Sequence, residues 1–325
     1  MSDIRHLLLE AARAGVRCSP IDLKSLETAV LERPDDLAIR AKLLSFYRMN
    51  SKSDPTQMKF ATHLLWMVKN FPECMDIPLF KSLLLTASSF EAVTLEWENQ
   101  IAANPNNLLI LKNAAHFFCY GIRDFSRAER YYLPCASLDA GNPKIQEELS
   151  DFYSYHGQMM SDVPSLEKAV IYCEQAIALE PEQERKLRNL IKVSKLAFKV
   201  GNFSKAKQAA NKTLRVAEEF RENWNYGNAI HWANIWLGLV AHKEGNILQA
   251  SLYLLRASKT PGSPQLRSFG PDVTLAELLL DSGATDAVSQ YIQLCAKFTI
   301  KEKLVSLIEA LQKRTDGASH APTLD

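Results

Sequence analysis

Asn234–Ala257 reads NIWLGLVAHKEGNILQASLYLLRA. Two apolar-periodic runs meet at Gly245-Asn246, a helix–turn–helix in miniature. Small residues at Gly238, Ala241, Ala250 and Ala257 let two helix backbones approach, and Leu237 and Leu254 fill the space between. Outward from this stretch the same unit recurs. Gly201-Asn202-Phe203 with Ala206 and Ala210 repeats the turn and the small residues. Ala169, Cys173, Ala176 and Pro181 form a third unit, and Phe125, Ala128, Tyr132 and Pro143 a fourth. Further upstream the glycines vanish, but prolines keep the beat. Pro34, Pro72, Pro105, Pro143 and Pro181 are separated by 38, 33, 38 and 38 residues. Proline cannot continue a helix and biases the residue before it away from helical geometry, so it punctuates helix pairs. A fixed period in this range marks a repeat architecture.

These residues resemble the tetratricopeptide repeat (TPR), whose pattern has Leu-Gly, a later Gly, then Ala, a large apolar residue and Ala. The resemblance covers about residues 20–300 and is densest over 105–260. It is similar to that of uncharacterised bacterial TPR proteins, which supplies no activity. It implies an all-α fold, a right-handed α-solenoid of stacked antiparallel helix pairs. N-terminal capping helices are expected over about 3–33, repeats over about 34–300 and a C-terminal capping helix over about 301–313, with a disordered tail at 314–325. The usual TPR period is 34, so the longer spacing here places extra residues in inter-helix loops, at Met49–Gln57 and Gly157–Ser165.

Local signals agree with helices. Leu166, Ala169, Val170, Cys173 and Ile177 lie at the spacing of one helical face. Ser19-Pro20-Ile21-Asp22 reads as an N-cap, and Ser88-Ser89-Phe90-Glu91 as a capping box opening a helix through Ile101. The run Thr260–Pro271 is a turn-rich connector before a helix at Val273–Asp281. It reads as a shaped inter-repeat loop or as a binding lip. No sustained period-two alternation marks a strand.

Composition narrows the function. A net charge of +1 gives no bulk attraction to nucleic acid or membrane. The six cysteines are too widely spaced for a zinc or redox motif, and free cysteine packs as a small hydrophobe, so a reducing cytoplasm is expected. The N-terminus lacks a signal-peptide layout, and no apolar run approaches the roughly 20 residues of a membrane span. Phosphate-loop, dinucleotide, zinc-protease and nucleophile-elbow motifs are absent. His231 and His242 share a helix face but stand about 16 Å apart, too far to share a metal. They read as groove-lining or surface histidines. No catalytic residue, metal or cofactor is expected.

The charge average hides one asymmetry. From Arg185 to Ala217 there is no acidic residue but ten basic ones. Arg188, Lys192, Lys195 and Lys199 form a single stripe on one helix. In the TPR family the first helix of each pair lines the concave groove, so the resemblance implies a groove facing an acidic peptide. Aligning the next unit places Trp232, Ile235, Leu239 and His242 beside it as anchors, among the aromatics Trp224, Tyr226 and Trp236. The alternative is a solvated face, with the aromatics packed between helices. Arg188 and Lys192 also resemble two basic positions of the family's carboxylate clamp. Ser154, Tyr155 and Gln158 stand where its asparagines would be, which leaves a general acidic preference. The expected function is a non-catalytic protein- or peptide-binding adaptor. An RNA-binding helical repeat and an accessory subunit of a modifying enzyme are the alternatives.

Overall fold

The computed structural model describes residues 2–50, 54–75, 90–300, 302 and 304–318. Among them every regular element is helical. None is long and apolar enough to cross a membrane. The chain divides into two compact units, 1–140 and 141–325.

The first unit contains α1 (Ser2–Val16), α2 (Pro20–Glu32), α3 (Leu37–Met49), α4 (Asp54–Asn70), α5 (Glu91–Ala103), α6 (Leu108–His116) and α7 (Phe125–Leu138). From α2 to α7 successive helices pack on one another, and α1 packs on α3. The expected cap at Ser19 forms: its hydroxyl accepts from Asp22 N–H at 3.2 Å, and the Asp22 carboxylate accepts from Ser19 N–H at 3.0 Å. Helix α2 buries none of its residues. Polar contacts hold it, with Glu27 accepting from the Tyr47 hydroxyl and, at 2.5 Å, from Lys59. Ser88 and Ser89 of the second expected cap lie outside the described residues.

The second unit contains α8 (Pro143–Met160), α9 (Val163–Leu179), α10 (Gln183–Lys199), α11 (Phe203–Glu219), α12 (Tyr226–Lys243) and α13 (Ile247–Ser258), then α14 (Pro264–Phe269), α15 (Thr274–Asp281), α16 (Thr285–Cys295) and α17 (Val305–Ala318). Each helix packs against its chain neighbour over α8–α13, and α10 also packs on α12, α12 on α15, and α13 on α15 and α16. The apolar face predicted for α9 is buried throughout, from Leu166 to Ile177.

The prolines fall as the period implies. Pro34, Pro72, Pro105 and Pro181 each stand two residues past a helix end, and Pro143 opens α8. The glycine turns are one structure repeated. Gly201, Gly245 and Gly283 have φ of +77°, +76° and +80°. After each, the next N–H reaches back to a carbonyl five residues earlier: Asn202 to Ala197, Asn246 to Ala241 and Ala284 to Leu279. Asn202 and Asn246 then cap the following helices at 3.0 Å.

Two expectations need correction. Gly157–Ser165 is not an extended loop, because α8 runs to Met160 and α9 starts at Val163. Ser161 takes the left-handed position (φ 55°) that glycine holds elsewhere, so no glycine marked the turn. The tail predicted from 314 is helical through Ala318. Residues 319–325 lie outside the described residues.

Candidate functional site

The outer face of α10 carries the basic stripe. Amphipathic spacing puts Leu187, Leu190, Val193 and Leu196 in the core and leaves Arg188, Lys195 and Lys199 exposed. Lys192 is half-buried. The acid-free stretch is supplied with acids through space. Asp151 of α8 lies 2.5 Å from Lys192 and 3.8 Å from Arg188. Glu174 of α9 pairs with Lys205 at 2.6 Å, and Glu244, after α12, pairs with Lys207 at 2.7 Å. Arg185 pairs with Glu182 at 3.0 Å. Lys199 donates to Gln158 Oε1 at 2.8 Å. Burial, and then the neighbouring Lys195 charge, lower the Lys199 pKa. Lys186, Lys195, Lys212 and Arg215 make no ion pair or hydrogen bond with the described residues.

The aromatic side of the site is split. Trp232 is half-buried and stacks on Trp236 with centroids 6.1 Å apart and planes 17° apart. Trp236 meets Phe198 of α10 at 5.7 Å, which meets Phe203 at 5.5 Å. This ladder joins α10 to α12, so Trp232 is the end of a packed stack with one edge open. Trp236 packs between helices. Ile235 and Leu239 do not reach the surface. They are 0% and 4% exposed, in the core with Ala250, Leu254 and Leu275, because α12 is enclosed on the side that faces α13 and α15. His242 is half-buried, its Nε2 3.1 Å from Ser282 Oγ. Ser282 gives its only proton to Leu278 O at 2.9 Å, so His242 Nε2–H is the donor of the pair.

His231 was expected near the surface and is fully buried. Its Nδ1 lies 3.0 Å from Ala257 O and its Nε2 accepts from Asp272 N–H at 3.0 Å. A carbonyl can only accept and an amide only donate, so the ring is neutral with its proton on Nδ1. Burial lowers its pKa to about 4. Tyr291 hydroxyl donates to Asp272 O at 2.7 Å. The Asp272 carboxyl is raised by burial, an effect partly offset by the Thr274 N–H and the Lys195 charge. This network fixes the connector. Thr260 hydroxyl donates to Gly227 O at 2.9 Å, Ser263 hydroxyl to Asn228 Oδ1 at 2.7 Å, and Asn228 to Gln265 at 2.5 Å. A Cβ on Gly227 would stand 1.8 Å from Gly262 O, so the connector lies flat on the first turn of α12.

A separate crevice opens where α9, α10 and α11 meet, with a volume of about 380 Å³. Sequence reading missed it, although the signal was present in Lys205, Gln208 and Lys212, spaced as one face of α11.

Compared with known proteins, the chain matches no protein-family model, and no curated protein matches it.

Proposed function

We propose that the chain is a cytoplasmic, non-catalytic adaptor of the TPR-like kind, and that residues 141–325 form a right-handed solenoid whose α10–α12 face takes an acidic segment of a partner protein. The recurring glycine turn and the pairwise packing of helices support the architecture. One observation carries the binding reading. Lys195 and Lys199 stay exposed and form no ion pair with the described residues, on the helix α10 that the Phe198–Trp236–Trp232 ladder joins to α12, where Trp232 keeps one edge open. Arg188 and Lys192 contribute less than their charge suggests, because Asp151 already neutralises part of it. Exposed charge pairs contribute about 0.2–1 kcal/mol each, so the lysines steer and the aromatic edge anchors.

The test is a fluorescence-anisotropy screen of short peptides in which Asp and Glu flank one large apolar residue. Binders should lose about tenfold in affinity with Lys195→Glu/Lys199→Glu, the sum of two reversed contacts, and as much again with Trp232→Ala. Affinity unchanged by both variants would make the stripe a solvated face. Tighter binding of a single-stranded RNA oligonucleotide than of any peptide, falling steeply with salt, would move the reading to nucleic acid.

A further inference from the structure

The crevice between α9, α10 and α11 has a two-part chemistry. Its floor is apolar: Ile177 of α9, Leu190 and Val193 of α10, and Ala209 of α11 turn their small remaining exposed surface into it. Its rim is cationic. Lys186 comes from α10, and Lys205 and Lys212 come from one face of α11, two turns apart. Glu174 holds Lys205 through both oxygens, at 2.6 and 2.7 Å. That pair is internally neutral and leaves Lys186 and Lys212 uncompensated, on different helices and across the same opening. A volume of about 380 Å³ lies within the roughly 300–1,000 Å³ of small-molecule sites. Such sites combine a mostly apolar lining with a few convergent polar groups.

The geometry points to a binding site for a compact amphipathic anion, an apolar body with one carboxylate, sulfonate or phosphate group. The body covers Ile177, Leu190, Val193 and Ala209. The anionic group lies between Lys186 and Lys212, where it supplies the charge the protein does not. The crevice shares no lining residue with the α10 stripe of Arg188, Lys192, Lys195 and Lys199. It therefore stands independently of the peptide-binding reading.

The probe is 8-anilinonaphthalene-1-sulfonate, titrated by fluorescence into the full chain and then displaced with decanoate. Its uncharged analogue, N-phenyl-1-naphthylamine, is titrated in parallel. Saturable binding at one site per chain is expected, competed by decanoate. Lys186→Glu/Lys212→Glu should weaken it at least tenfold, with helicity unchanged by circular dichroism. Ala178→Trp places bulk at an exposed lining position and should abolish it. Lys195→Glu/Lys199→Glu should leave it unchanged. The uncharged analogue should bind at least tenfold more weakly. Non-saturating binding, equal affinity for the two probes, or indifference to both crevice variants would overturn the site.

Discussion

His231 shows how one side chain can be read wrongly from its neighbours and correctly from its partners. Its position on α12 suggested a surface or groove residue, yet both ring nitrogens are spent on backbone groups of the α13–α15 region. An unfolded imidazole takes up a proton near pH 6.5, whereas the buried ring resists until about 4. Between those values the unfolded state binds more protons. The stability His231 confers is therefore complete above pH 6.5 and lost as pH falls toward 4, by about 3 kcal/mol. Urea titrations of the wild type between pH 7.5 and 4.5 should show this loss. His63 adds to it in the first unit, where burial, and then the charge of Arg40, lower its pKa to about 4. His231→Ala should cost about 2–4 kcal/mol at pH 7.5, since Ala257 O and Asp272 N–H lose their partners, and should flatten the acid response of residues 141–325. An unaltered pH profile in that variant would remove His231 from the explanation.

The turns divide by what the backbone demands and what the sequence announces. Gly201 and Gly245 carry left-handed φ at the residue that tolerates it, followed by an asparagine that caps the next helix. These were legible. The α8–α9 turn uses the same backbone region at Ser161, a residue that does not advertise it, and was mistaken for a loop. Ser161→Gly should raise the chemical-denaturation stability of the chain by roughly 1 kcal/mol, by relieving the left-handed cost. Asn246→Ala should lower it by about the same amount through loss of the cap. A decrease with Ser161→Gly would show that its side chain compensates. The basic stripe was legible as a stripe on α10. The pairing of one of its lysines, and of two more on α11, was not, because Asp151, Glu174 and Glu244 lie 41, 31 and 37 residues from their partners Lys192, Lys205 and Lys207. Periodicity along one helix locates a charge, but only packing shows what faces it. Ile235 and Leu239 illustrate the converse: the alignment of two repeats gave their helix, while the closeness of α13 and α15 decided that they are core.

At the level of the whole molecule, helix content and pairing followed from proline spacing and apolar period. The division at residue 140 did not, since the proline beat runs through it without a break, from Pro105 to Pro143. Residues 141–325 have a core spanning α12–α17 and smaller clusters between α9 and α12, all built from their own residues. Expressed alone, they should retain helicity and melt in one cooperative transition, monitored by circular dichroism. A broad, non-cooperative melt would show that residues 1–140 are required to fold them.

The recurring turn at Gly201, Gly245 and Gly283 also makes length a design variable. At each of these glycines the space beyond Cα is open. A segment cut from one turn to the next, Gly201 to Glu244, begins and ends on matching backbone. A second copy spliced there would meet at both joins the geometry it left behind. The chain could thus be extended by one helix pair using its own punctuation as the seam.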